Sequence, residues 1–125
     1  MKLCLLSITA SHYRKRIYQL IDSSFDCRFI FGNDNSTVKR LDNSSLKNVK
    51  ELPNIKIGKT KWYYQPQILS STKKYDVIID DLGAFCLSSW ILHIIKFFRS
   101  QKIYCWDHGW YGRENFIRKW IKRLY

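Results

Sequence analysis

The chain has 125 residues, of which 46% are hydrophobic and 16% aromatic, and its formal net charge is +12 at pH 7. This length supports one domain with a real hydrophobic core, and the composition argues against intrinsic disorder. The excess of 22 Lys and Arg over 10 Asp and Glu favours an anionic partner such as a membrane surface, a phosphorylated substrate or nucleic acid.

The first part of the chain reads as a strand, a helix and a second strand. Residues 3–8 form an apolar run broken only by Ser7, which is typical of a strand buried on both faces of a parallel sheet. Residues 27–31 form a second apolar run, and Ser11 can cap a helix between the two. The polar residues 34–48 predict a surface excursion. The apolar stripe of the predicted helix consists of Tyr13, Ile17, Leu20 and Ile21.

The rest of the chain continues this alternation. Residues 49–57 predict a weak strand region interrupted at Pro53, and residues 62–71 predict a short helix. Residues 75–79 give the clearest strand signal, with Asp80 and Asp81 directly after it. The last predicted elements are a helix over residues 85–99, a strand over residues 103–106 and a helix over residues 113–125.

Strands that alternate with helices indicate an α/β fold, in which a Rossmann-like parallel sheet is flanked by helices over a single domain, residues 1–125. No G-x-G-x-x-G motif follows the first strand, which argues against a dinucleotide-binding fold in its usual form. The longest apolar stretch, residues 82–98, is shorter than the ~20 residues that a membrane-spanning helix needs. It therefore predicts a buried core helix, and a segment that dips into a membrane is the alternative.

The four cysteines lie in or beside apolar runs, and none forms a C-x-x-C pair. This pattern predicts buried, reduced thiols and offers no metal site. The cysteines are Cys4, Cys27, Cys86 and Cys105.

Polar groups follow three of the predicted strands, at the edge where open parallel sheets bind ligands. Asp80 and Asp81 could supply a base or a metal ligand, although aspartates also occur at strand ends for turn and capping reasons. His108 is the better candidate, because Gly109 beside it allows close backbone approach and a helix is predicted to begin shortly after it. The other polar residues at these strand ends are Thr9, Ser11, His12 and Asp107.

Basic residues cluster in three places. Residues 113–125 predict a basic amphipathic helix with aromatic side chains on its apolar face. Residues 14–16 and residues 56–64 add two further basic patches, the second of them rich in aromatic residues. Two interpretations stay open: the charges are simply solvated, or the basic surface contacts a membrane.

Three segments, in this order, resemble the N-terminal domain of bacterial GT-B glycosyltransferases of the family-four type. They are His12-Tyr13-Arg14, residues 75–79 with residues 87–90, and residues 106–114, which read Trp-Asp-His-Gly-Trp-Tyr-Gly-Arg-Glu. The third segment is the most specific, and together the segments span nearly the whole chain.

The resemblance implies one half of a GT-B fold, in which the N-terminal domain holds the acceptor and a C-terminal domain binds the nucleotide-sugar donor. It implies a retaining glycosyltransferase that needs no metal or other cofactor and acts on a lipid-linked or cell-envelope glycan. The reduced thiols indicate the cytoplasm, and the basic surface favours peripheral contact at the inner face of the membrane. The donor domain is expected to be absent from this chain, which alone would be inactive. His108 would be catalytic, and the substrate-binding residues would be His12, Tyr13, Arg14, Asp107 and Gly109.

Two other functions remain as alternatives. One is a stand-alone small α/β module that binds an anionic ligand. The other is a nucleic-acid binder, which only the charge and the aromatic content favour.

Overall fold

The computed structural model describes residues 1–33 and 38–106, together with Trp120 and Arg123. Its strands are β1 (Leu3–Ser7), β2 (Cys27–Gly32), β3 (Val49–Leu52), β4 (Ile55–Lys56), β5 (Tyr63–Tyr64), β6 (Val77–Asp81) and β7 (Lys102–Cys105). Five of them form a single sheet in the order β3-β2-β1-β6-β7, and every neighbouring pair in it is parallel. The other two pair as a short antiparallel hairpin, β4-β5.

Three α-helices accompany the sheet within residues 1–33 and 38–106: α1 (Lys15–Ser24), α2 (Ile68–Thr72) and α3 (Leu87–Ile95). Short 3₁₀ helices lie at His12–Arg14, directly before α1, and at Lys96–Phe98, directly after α3. A third 3₁₀ helix is at Asn43–Ser45. The sequence prediction of a Rossmann-like α/β fold is confirmed, because a five-stranded parallel sheet has helices packed on it.

Alternating side chains of the strands supply two hydrophobic cores, one on each face of the sheet. On one face Leu6 and Ile78 pack with Ile68 of α2 and Leu92 of α3. On the other face Leu5, Phe29 and Phe31 pack around the buried ring of Tyr18 on α1. This arrangement explains the continuous apolar runs of the central strands, since neither face of those strands meets water.

Several sequence predictions need correction at the level of single elements. The fourth strand of the parallel sheet is displaced from residues 75–79 to Val77–Asp81, so that Asp80 and Asp81 belong to the strand. Residues 62–71 were expected to be one helix, but they contain the strand Tyr63–Tyr64 and the start of α2. The surface excursion also contributes Leu41 and Leu46 to the core.

The predicted apolar stripe of α1 is only partly correct. Ile21 packs against the core together with the buried Tyr18, while Tyr13, Ile17 and Leu20 are exposed. The reason is that Arg14, just before the helix, is drawn into the interior by a carboxylate on β6, and Tyr18 lies one turn further along the same face.

The predicted helix over residues 113–125 lies outside the described residues except for Trp120 and Arg123, which are helical and exposed. No helix within the described part of the chain is long and apolar enough to cross a membrane.

Candidate functional site

A crevice opens where the strand order of the sheet reverses, at the carboxyl ends of β1 and β6. Strands β1 and β6 are hydrogen-bonded neighbours, and the chain leaves them toward opposite edges of the sheet. Such switch points are where open parallel sheets bind ligands. The pocket there has a volume of about 310 Å³. It is lined by Ser7, Ile8, Thr9, Ser11, Tyr13, Arg14, Val38, Asp81, Leu82 and Gly83.

A buried ion pair forms one wall of this pocket. The guanidinium of Arg14 donates to the carboxylate of Asp81, and only 5% and 12% of the two side chains are exposed. The hydroxyl of Ser7 donates to the same carboxylate at 2.8 Å. Burial alone would lower the pKa of Arg14, but the Asp81 carboxylate beside it raises that pKa above its ordinary value. The guanidinium is therefore charged at neutral pH.

Arg14 also connects the ion pair to the end of β7. Its guanidinium carbon lies 4.7 Å from the centre of the Trp106 indole ring, on the ring face, and 5.4 Å from the Tyr13 ring. The backbone nitrogen of Trp106 donates to the Asp80 carbonyl oxygen at 2.8 Å, which extends the pairing of β6 and β7 by one residue. Trp106 is thus fixed from two sides, directly before residues 107–109 of the chain.

A second pocket adjoins the first, on the other side of Ile8, Leu82 and Gly83, which line both. Its volume is about 240 Å³, and the β4-β5 hairpin contributes Lys56 and Tyr63 to its wall. The remaining lining residues are Asn54, Lys61 and Phe85. The second pocket therefore extends the crevice beyond the ion pair, and it has apolar walls that include two lysines.

The lysines of this second pocket are not neutralised. Within the part of the chain that the structure describes, neither Lys56 nor Lys61 forms an ion pair or a hydrogen bond through its ammonium group. Both side chains are exposed. Two unpaired cations at the opening of an apolar cavity suit a ligand that combines an anionic group with an apolar part.

The segment that carries the hairpin is held to the end of β1 by the side chain of Asn54. Its amide nitrogen donates to the Ile8 carbonyl oxygen at 2.9 Å, and its backbone nitrogen donates to the side chain of Asn33 at 2.9 Å. The Asn54 side chain lies directly against the backbone of Gly32, where a Cβ atom would overlap it. The glycine is therefore needed for this close approach.

The side chain of Asp80 connects the end of β6 to α3. Its carboxylate accepts from the hydroxyl of Ser89, from the backbone nitrogen of Leu82 at 3.0 Å, and contacts His93 Nε2 at 3.1 Å. Cys105 Sγ lies 3.6 Å from that same nitrogen. A catalytic triad needs the nucleophile and the carboxylate on different imidazole nitrogens, so this cluster does not form one.

The structure brings together two of the six predicted site residues. Tyr13 and Arg14 line the switch-point pocket, whereas the exposed His12 is absent from its lining and its backbone nitrogen donates to the Lys39 carbonyl oxygen. The predictions for Asp107, His108 and Gly109 fall outside the described residues. Trp106, the residue before them in the chain, contacts the guanidinium of Arg14.

Sequence reasoning missed the pairing of Arg14 with Asp81 and the position of Lys56 and Lys61 on the second pocket. Arg14 and Asp81 are 67 positions apart, and no local pattern joins them. The sequence shows the two lysines only as members of a basic patch rich in aromatic residues. That patch is the one sequence feature that could have pointed to this pocket. Among residues 1–33 and 38–106, no three His, Cys, Asp or Glu side chains are arranged to hold a metal ion.

Comparison with known proteins gives no match: no family model, no curated protein sequence and no solved structure is significantly similar to this chain.

Proposed function

We propose that this chain is the acceptor-binding half of a retaining glycosyltransferase, with the nucleotide-sugar donor bound by a second Rossmann-like domain. The observation that carries the proposal is the crevice at the carboxyl ends of β1 and β6. Arg14 ties the residue before Asp107-His108-Gly109 to the same crevice through the Trp106 ring. Of the most specific segment of the resemblance, Trp106 is the described residue, and it contacts Arg14 at the switch point of the sheet.

The proposed acceptor is a lipid-linked or cell-envelope glycan that carries an anionic group. The pocket beside the switch point combines apolar walls with the unpaired ammonium groups of Lys56 and Lys61. A phosphate or diphosphate between a sugar and a lipid chain has this combination of charge and apolar surface. The lysines bind the anionic group, and Tyr63 and Phe85 contact the apolar part that follows it.

His108 acts on the transferred sugar in this proposal, and Asp107 and Gly109 shape its surroundings. A neutral imidazole can donate to or accept from a sugar hydroxyl near pH 7. The domain formed by this chain positions the acceptor against the donor sugar. Holding two substrates in reacting geometry supplies much of an enzyme's rate. No metal ion is required for this role.

The proposal is tested by supplying a donor domain, in cis or in trans, and measuring sugar transfer. His108→Ala is expected to lower turnover strongly while its melting curve matches that of the unaltered chain. Gln19→Ala, on the exposed side of α1, is the matched control and should leave both unchanged. Full activity of His108→Ala, or a loss that follows unfolding, would reject the proposed role of His108.

A stand-alone module that binds an anionic ligand is the second candidate, and the unpaired Lys56 and Lys61 favour it as well. The two functions differ in whether a sugar is transferred once a donor domain is present. Salt-dependent retention on nucleic acid but not on anionic vesicles would instead favour a nucleic-acid binder.

A further inference from the structure

The outward side of α3 is apolar. Its exposed residues Leu87, Ile91 and Ile94 follow one another at the spacing of a single helix face, and Phe98 in the next turn continues the same line. Phe97 lies beside them. The two phenylalanines are 81% and 87% exposed, the highest values among the exposed large hydrophobic residues of the described chain.

The inward side of the same helix is the more polar one. Ser88, Ser89 and Leu92 are its buried residues, and His93 reaches the buried Asp80. The sequence prediction of a buried core helix is therefore only half correct, because the most apolar stripe of α3 faces away from the sheet. Contiguous apolar surface of this kind on a folded domain marks an interaction site.

The charged residues of the segment that carries this face are all basic. Residues 82–106 contain no Asp or Glu, but they include Lys96, Arg99 and Lys102. Arg99 also lines a shallow groove with Lys73 and Lys74. The one carboxylate of that groove, Asp76, accepts a hydrogen bond from the backbone nitrogen of Lys2. Exposed apolar side chains with cations at one end are typical of helices that lie in the interface of an anionic bilayer.

We propose that the outward face of α3 and of the following 3₁₀ turn docks on an anionic lipid bilayer, with Phe97 and Phe98 inserted among the acyl chains. This apolar face, Leu87, Ile91, Ile94, Phe97 and Phe98, is here called the α3 face. Lys96 and Lys102 contact the lipid headgroups, and Arg99, whose guanidinium donates to the Leu69 carbonyl oxygen at 3.3 Å, adds to the positive charge beside them. The helix has 9 residues and lies in the plane of the interface, since it is far too short to span the membrane.

A second copy of the chain fits the α3 face less well than a bilayer does. Each copy carries a formal net charge of +12, and pairing two α3 faces would bring the cations beside them together. An anionic surface instead complements both the apolar stripe and the charge. This inference rests on exposure and charge alone, so it stands or fails independently of the proposed glycosyl transfer.

The test is co-sedimentation of the full chain with vesicles of phosphatidylcholine alone and of phosphatidylcholine with 30% phosphatidylglycerol. We expect binding only to the anionic vesicles, with weaker binding as salt is added. The double substitution Phe97→Ser and Phe98→Ser should reduce this binding at least tenfold. Because both side chains are exposed, the variant should keep the circular dichroism spectrum and melting curve of the unaltered chain.

The matched control replaces Ile17 and Leu20 by Ser, since these exposed apolar residues lie on α1, away from the α3 face. It should bind the anionic vesicles as the unaltered chain does. Unchanged binding of the Phe97→Ser and Phe98→Ser variant, or an equal loss in the α1 control, would overturn the proposal. So would a lipid-free dimer, seen by sedimentation velocity, that the substitutions at Phe97 and Phe98 abolish.

Discussion

The guanidinium of Arg14 lies between the carboxylate of Asp81 and the indole ring of Trp106, whose centre is 4.7 Å from the guanidinium carbon. This one side chain joins the segment after β1 to the ends of β6 and β7. The ion pair and the ring contact hold the three strand ends together at the switch point of the sheet. The first prediction concerns the strength of that connection.

Removing one partner of the ion pair leaves a buried charge without compensation. We expect Arg14→Met or Asp81→Leu to lower the free energy of unfolding by about 3–5 kcal/mol, and the double variant to lose less than the sum. Urea denaturation measures all four proteins. The exposed pair Arg40–Glu51 is the control, and breaking it should cost at most about 1 kcal/mol. Strict additivity of the Arg14 and Asp81 variants would contradict a direct coupling.

Much of the fold follows from local sequence, whereas the candidate site depends on distant residues. The apolar runs of β1 and β2 identify strands buried on both faces without any knowledge of their neighbours. The buried face of α1 could not be predicted in the same way, because an arginine that is drawn inward by Asp81 outweighs the helix periodicity. Nor does periodicity show that the apolar stripe of α3 faces outward.

Gly32 tolerates no side chain. A Cβ atom at this position would overlap the Ile8 carbonyl oxygen, which belongs to the backbone, and the Asn54 side chain, which is hydrogen-bonded to that oxygen. We expect Gly32→Ala to cost about 3 kcal/mol or more in unfolding free energy. Gly58→Ala is the comparison: nothing lies near its Cβ, and only its positive φ of 58° adds strain of about 1–2 kcal/mol. Equal costs in urea denaturation would be inconsistent with the close packing at Gly32.

The thiols should differ sharply in reactivity. Cys4, Cys27 and Cys86 are buried, and Cys105 is exposed at the end of β7, which corrects the sequence prediction that all four are buried. Reaction of the native chain with Ellman's reagent should show one fast thiol, and Cys105→Ser should remove this phase. The other three should react only at the rate of unfolding. Two or more fast thiols in the native protein would disagree with this burial pattern.

Alkaline pH should destabilise the chain through its buried thiols. Burial raises the pKa of Cys27 to about 12 from its ordinary value of 9.0, so the unfolded state loses the proton first. The contribution of this thiol to stability is complete below about pH 9 and disappears as the pH rises toward 12. Between pH 8 and pH 10.5, the free energy of unfolding measured with urea should therefore fall less for Cys27→Ala than for the unaltered chain. Cys105→Ala is the control, and its free energy of unfolding should fall as much as that of the unaltered chain. An identical fall in both variants would count against the Cys27 thiol as the cause.

The central claim is that this chain binds the acceptor and not the donor. Saturation-transfer difference NMR tests it most directly, with a short-chain prenyl diphosphate that carries one sugar as the acceptor probe and with nucleotide sugars as the donor probes. The account predicts signal transfer to the prenyl diphosphate sugar and none to the nucleotide sugars. It predicts a strong loss of this signal in the double variant Lys56→Ala and Lys61→Ala. Lys59→Ala should keep the signal, because its side chain does not line the pocket. Saturation of the nucleotide sugars alone, or binding that the two pocket lysines do not affect, would contradict the account.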